Sequence, residues 1–350
     1  MVVATLFASL AALDIATSPD LSFLVFYLLP VLVASWFLGR REGVLVSVAC
    51  VGVWLLDDSL TRRVYSQPAV PIWNRAGELL FFIFLGWLAG ALKTALEREV
   101  HARTERLETD LAMARQVQAA LLPPRSLVVG PFSVFAVCRQ VFGVGGDIYE
   151  IQKLGDDRLI VAVADVSGKG IAAALLMSSF LASLRLLIPR YSDQLHTLAE
   201  ELSERLLTRL ETPRFVTAFI GIAEDGWLRY VNAGHNPGFL VGPDSRPAVS
   251  LPSTGTVLGL MPRARFHEER VPFPPGSLLV LYSDGLTEQT DSAGEEFGAR
   301  RVAETAVLAR AAPALVVEEL LAAVTGHAAA EPLADDITIL CVRRDQTRES

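Results

Sequence analysis

The sequence predicts an α+β domain, helices laid over antiparallel strands, behind a helical membrane unit. Three observations point there. Four apolar segments crowd into the first 95 of 350 residues. A charged helical stretch follows and stops at Pro123 and Pro124. Beyond it, short β-rich runs alternate with helical patterns, with hairpin-like joins such as Glu224-Asp225-Gly226.

The apolar segments are residues 2–17, 21–39, 43–56 and 77–96. Residues 21–39 and 77–96 have the length a bilayer requires; 2–17 is marginal and carries Asp14. A buried helical core would suit any one of them, but four in succession point to a four-span transmembrane domain over residues 1–95. A cleaved signal peptide is disfavoured, since no basic region precedes the first segment and more apolar runs follow. Arg40 and Arg41 after the second span, and Lys93 and Arg98 after the fourth, predict a cytoplasmic N-terminus and C-terminal half in a multi-pass cell-membrane protein. The loop 57–75 would face outward, although its Arg62 and Arg63 count against this; Trp73 suits the lipid interface.

Residues 96–124 form the linker. Leu96, Val100, Leu107, Leu111, Ala114 and Leu121 recur at spacings of three, four or seven, with Arg103 and Gln118 in the same seam. This predicts a helix able to pair as a coiled coil, and so a homodimer, or else a lone amphipathic helix packed on the domain that follows.

The remaining stretch, 125–345, is the α+β domain. Strands are expected at 132–138, 158–165, 215–222, 227–233, 277–283 and 336–342, and helices at 170–188, 193–210 and 298–330. The chain is 51% hydrophobic with mean hydropathy +0.39, the excess lying in the first 95 residues. A net charge of −8 argues against nucleic acid as partner. Cys50, Cys138 and Cys341 lack CxxC spacing, and the five histidines form no zinc pattern.

Four turn-like sites carry the chemistry: Asp147 after Gly145-Gly146, Asp165 closing the apolar run 159–164, Asp284 after Ser283, and Asp335-Asp336 opening the last strand. Each Asp alone could be a turn or cap residue. Together they form a set of hard oxygen donors suited to Mg²⁺ or Mn²⁺. Such ions would offset carboxylate repulsion and activate water against an electrophile such as phosphorus.

In order and spacing, MARQVQAALLP (113–123), GGDIYE (145–150), ADVSGKGIAAALLM (164–177), FVTAFIG (215–221), NAGHNP (232–237), LYSDGLTE (281–288) and DDITIL (335–340) resemble the SpoIIE/RsbU branch of the PPM-type (type 2C) metal-dependent protein serine/threonine phosphatases. The resemblance spans roughly residues 112–343. It implies two stacked antiparallel sheets flanked by helices, with two divalent ions, Mn²⁺ or Mg²⁺, at one edge. Asp165 would bridge both ions and Val166 would offer its carbonyl to one. Asp147 and Asp335 would serve one ion and Asp284 the other, with Asp336 as the fallback for Asp335. These four aspartates, Asp147, Asp165, Asp284 and Asp335, are the implied catalytic set. Departures from the pattern are Ile148 in place of an aromatic, Glu150 in place of Asp, and Ser167 where many type 2C enzymes carry a His. His235 could donate a proton, but a turn-stabilising role suits it better. The helix after Asp165 is implied to move with the approach helix and shift the metal-binding turn.

The expected function is therefore a membrane-anchored signalling phosphatase. Its substrate would be phosphoserine or phosphothreonine on a small protein, by resemblance a STAS-type anti-sigma-factor antagonist. The alternative is a pseudophosphatase acting as a membrane-localised partner-binding module, which failure to bind Mn²⁺ or Mg²⁺ would support.

Overall fold

The computed structural model describes residues 2–16, 24–61, 69–141, 143–207, 214–243, 248–309, 311–329 and 331–345. The chain divides between Thr109 and Asp110 into two units.

The first unit contains α1 (Val2–Ala16), α2 (Leu24–Phe37), α3 (Arg40–Thr61) and most of α4 (Ala69–Leu121). Each apolar segment falls in its own helix. Arg40 and Arg41 open α3 instead of occupying the turn, which is made at Leu38 and Gly39, where φ is +126°. Arg62, Arg63 and much of the expected outward loop lie outside the described residues. Tyr27, Val31, Cys50, Val51, Trp54 and Phe82 form the small core. Asp14 Oδ2 accepts hydrogen bonds from Tyr27 Oη (3.1 Å) and Trp54 Nε1 (3.0 Å), which ties three helices together. The outer surface is apolar, with Phe26, Leu29, Leu45, Leu55, Phe81, Phe84 and Trp87 exposed. Among the described residues two helices are long and apolar enough to cross a membrane, Ile72–Leu121 and Ile171–Tyr191; the apolar stretches of α1 and α2 are shorter.

The second unit is a four-layer α/β/β/α sandwich. One sheet contains β1 (Ser126–Val129), β2 (Phe132–Arg139), β7 (Gly238–Val241), β8 (Val249–Leu251), β10 (Leu278–Tyr282) and β11 (Ile337–Arg344), in the order β1-β2-β11-β10-β7-β8. The other contains β3 (Ile148–Gly155), β4 (Arg158–Val166), β5 (Val216–Glu224), β6 (Trp227–Ala233) and β9 (Glu269–Pro272), ordered β3-β4-β5-β6-β9. All these pairings are antiparallel.

Strand periodicity explains the layering. Along β4, Leu159, Val161 and Val163 face the other sheet and meet Leu279, Leu281, Leu340 and Val342. The alternate residues Ile160, Ala162, Ala164 and Val166 pack under α5 (Ile171–Tyr191) and α6 (Leu195–Leu207). On the opposite side Ile337, Ile339 and Cys341 pack under α8 (Gly298–Ala309) and α9 (Pro313–Ala328). With both faces covered, the central strands read as unbroken apolar runs. The same burial explains the apolar α5: Ala173, Met177, Phe180, Leu181, Leu184 and Ile188 sit in the core, so this helix owes its composition to packing.

Three features differ from the expected elements. The single helix expected at 298–330 is two, because Pro313 begins a new helix with Ala312 extended as its cap. The edge strands β1, β8 and β9 are short and partly exposed, and they carry no clear alternation. β3 was hidden in the mixed sequence IYEIQKLG.

Phe180 is fully buried between α5 and the second sheet. Phe180→Ala is expected to cost ~3–5 kcal/mol of the second unit's stability. Chemical denaturation followed by near-ultraviolet circular dichroism measures this; a loss below ~1 kcal/mol would contradict the packing described.

Candidate active site

The sandwich brings four strand ends to one edge, and each carries an aspartate. Asp165 extends the inward row Leu159, Val161, Val163 and so points between the sheets. Ile148 pairs with Ala164, so Asp147, one residue earlier, stands across from Asp165. On the other sheet, Leu340 and Val342 face inward, which puts Thr338 and Asp336 in the same row at the start of β11. Asp284 follows β10 and opens α7 (Asp284–Thr287), a single helical turn. Ser283 fixes β10 against β11: its N–H donates to Thr338 O (3.0 Å) and its Oγ accepts from Thr338 N (2.9 Å). The Val141 N–H donates to Asp336 Oδ1 (2.8 Å), and the Asp336 N–H to Asp335 Oδ1 (2.9 Å).

The five carboxylates act on one another. Burial and then the Asp165 charge push Asp147 well above the carboxylate range. Burial and the charges of Asp284 and Asp335 push Asp165 up to about 7. Asp284 and Asp336 are raised by burial first and by Asp335 among the neighbours. Both aspartates of the DDIT stretch thus face the cluster: Asp335 acts on Asp165 and Asp284, and Asp336 on Asp147 and Asp165.

The donor set fits a hard divalent cation. All the side-chain donors are carboxylate oxygens, and the buried Asp147 Oδ2 has no hydrogen-bond partner among the described residues. A Cβ on Gly146 would sit 2.8 Å from Val166 O and 3.1 Å from Asp165 Oδ1, so glycine keeps that hollow open. A Cβ on Gly285 would overlap the Asp336 carbonyl. As the side chains stand, no three His, Cys, Asp or Glu groups among the described residues converge closely enough to enclose an ion. Asp335 Oδ2 holds Lys169 Nζ at 2.7 Å.

The neighbouring polar residues have structural partners. His235 is buried, its Nδ1 lies 2.9 Å from Thr217 Oγ1, and its backbone N–H donates to Asn232 Oδ1 (2.8 Å). Burial pushes its pKa down to about 4, which favours the neutral ring at pH 7. Thr217 in turn stands opposite Asp165 across β4 and β5. Ser167 Oγ accepts from the Phe215 N–H (3.0 Å), and Arg214 Nη1 donates to Ser167 O (3.4 Å).

The structure adds a residue that the heptad reading had placed in the linker seam. Gln118 is buried and grips Gly145 from both sides: its Nε2 donates to Gly145 O (2.7 Å) and its Oε1 accepts from Gly145 N (3.2 Å). The last turn of α4 thereby holds the turn that carries Asp147. Three further interactions fix the same segment: Arg185 on α5 donates to Leu121 O (2.7 Å) and pairs with Glu150 (2.7 Å), and Tyr149 Oη donates to Pro123 O (2.9 Å). The sequence offered only a Gln in an otherwise apolar and charged seam, with nothing to mark it as buried. Gln118→Ala leaves both Gly145 groups unpaired and is expected to cost ~1–3 kcal/mol by thermal melting; Gln118→Glu, which accepts but cannot donate to Gly145 O, should not restore it.

The comparisons concern the family and the fold. Protein IcfG of Synechocystis is 28% identical over 287 residues, covering 74% of this chain and 45% of that protein. Phosphoserine phosphatase RsbU of Bacillus subtilis is 26% identical over 186 residues, covering 53% and 55%. The chain spans about half the length of the curated relatives it matches. The SiaA PP2C domain of Pseudomonas aeruginosa superposes with a TM-score of 0.61 at 24% identity, over 70% of this chain and 99% of that domain, which establishes a shared fold. The Stage II sporulation protein E (SpoIIE) family matches residues 155–345, more than half of the sequence. The chain belongs to the SpoIIE family.

Proposed function

We propose that the chain is a membrane-anchored protein serine/threonine phosphatase, acting on phosphoserine or phosphothreonine of a small partner protein. The observation that carries this reading is the meeting of Asp147, Asp165, Asp284, Asp335 and Asp336 at one edge of the sandwich. The family match and the name of the RsbU relative support the same chemistry.

Asp165 would hold both cations, Mn²⁺ or Mg²⁺, with the Val166 carbonyl on one of them. Asp147 and Asp335 would serve one ion and Asp284 the other, with Asp336 beside Asp335. When bound, the two cations supply the positive charge that makes water nucleophilic and offsets the charge on the phosphoryl group. The chain's own work is positional. Paired strands fix the carboxylates at the edge, Gly146 leaves the hollow open, and the apolar interior keeps the field strong. Lys169 keeps an ammonium at the rim, where it attracts a phosphate monoester.

The exposed apolar faces of α2, α3 and α4 support a lipid-embedded unit, and the lysine and arginine placement supports a cytoplasmic domain. Leu96, Val100 and Leu107 are exposed along α4, which supports pairing with a second copy there. The resemblance to the RsbU branch favours a STAS-type anti-sigma-factor antagonist as substrate.

With Mn²⁺ or Mg²⁺, the 350-residue chain in detergent should release phosphate from p-nitrophenyl phosphate and from a phosphoserine protein. Asp165→Asn and Asp284→Asn should each lower the rate at least ~10³-fold. Unchanged turnover in both variants would sink the mechanism.

A second expectation concerns pH. Without cations, Asp165 titrates near 7 in the folded chain against 3.8 when unperturbed, so the native state holds an extra proton between those values. Stability of the ion-free protein therefore falls as pH rises through that window. A cation competes with that proton. The melting-temperature gain on adding Mg²⁺ should be larger at pH 8 than at pH 5.5, and a gain independent of pH would contradict the assignment.

A further inference from the structure

A second concave feature adjoins the carboxylate edge and has the opposite charge. A cavity of about 530 Å³ opens between the end of α4, the end of β2 and the segment before β11. Arg115, Arg125 and Arg139 line it, and among the described residues no acidic one does. All three arginines are exposed, and none has a hydrogen-bonded or ion-paired side-chain partner among the described residues. By contrast, Arg158, Arg185, Arg229 and Arg265 on the same unit are all paired with carboxylates. In a chain of net charge −8, three unpaired guanidiniums around one cavity form a local reversal of the field.

The cavity's position gives this reversal a use. Val141, on its wall, donates its N–H to Asp336. Cys138, also on the wall, lies with Sγ 3.8 Å from Asp147 O. Leu333 lies two residues before Asp335. The basic cavity and the carboxylate cluster are thus separated by one layer of chain. A phosphorylated residue at the cluster would carry its neighbours across Val141 onto the arginines.

We infer that this cavity is a docking site for an acidic segment of the substrate protein, flanking the phosphorylated residue. The inference rests on the phosphatase reading and adds a substrate class to it: phosphoproteins with Asp or Glu beside the modified serine or threonine. Guanidiniums suit this role because their planar forks bind carboxylates in pairs. The unpaired state matters too, since no internal ion pair must break before the substrate docks.

The test uses the 350-residue chain in detergent and two phosphoserine peptides of equal length. One carries Glu and Asp around the phosphoserine, the other Ser and Gly at those positions. The wild type should prefer the acidic peptide by about tenfold in kcat/KM, through KM more than kcat. The preference should shrink toward unity at 0.5 M NaCl. Arg115→Glu and Arg125→Glu, singly and together, should remove it while p-nitrophenyl phosphate hydrolysis stays within about twofold. Equal use of both peptides by the wild type overturns the docking site, and so does a preference that survives in the double variant. Retained p-nitrophenyl phosphate hydrolysis in either case leaves the phosphatase reading standing. Its absence from the wild type with Mn²⁺ and Mg²⁺ overturns that reading instead.

Discussion

Mutual repulsion among carboxylates is the constraint around which the second unit is built. Burial first, and then the charges of Asp284 and Asp335, push Asp165 from 3.8 up to about 7, roughly 4 kcal/mol against its ionised form. That exceeds the ~1 kcal/mol net of an ordinary hydrogen bond several-fold, so no single contact can hold the cluster together. What holds it is the cooperative stiffness of two sheets. Asp147 and Asp165 are delivered by one antiparallel pair, and Asp284 and Asp336 by another. Neither pair can relax without breaking its ladder or opening the core between the sheets.

The periphery reinforces this arrangement by removing freedom from the connecting turns. Ser283 and Thr338 lock the β10 and β11 ends to each other, Thr217 and His235 back the strand beside Asp165, and Gln118 grips the turn before Asp147. These partners are neutral. A cationic partner in their place would quench the field that the carboxylates create. The ammonium that does approach, Lys169, does so from the exposed rim and on a flexible stem.

Much of the candidate site was legible in the sequence, because aspartates beside glycine or serine at the ends of apolar runs announce both a strand end and a charge. The helical N-terminal region was equally legible from its apolar segments, since composition alone carries that signal. The edge strands were not. β1, β8 and β9 are three or four residues long and half exposed, too short for alternation to register. Gln118 was hidden for a different reason. A helical seam accepts an occasional polar residue, and only the folded chain shows a backbone donor and acceptor waiting opposite it. The cavity arginines come from positions 115, 125 and 139, and no local pattern links them; only the pairing of β2 with β11 and the end of α4 brings them together.

The double grip of Gln118 on Gly145 makes the turn before Asp147 sensitive to the angle of the helix end. A side chain on an α-helix stands about 5–6 Å from the axis, so a 20° rotation of α4 about its own axis sweeps that amide through ~2 Å. Two hydrogen bonds of 2.7 and 3.2 Å cannot both keep their geometry through such a sweep. Within the second unit, the grip of the last turn of α4 ties the Asp147 turn to the orientation of that turn of helix.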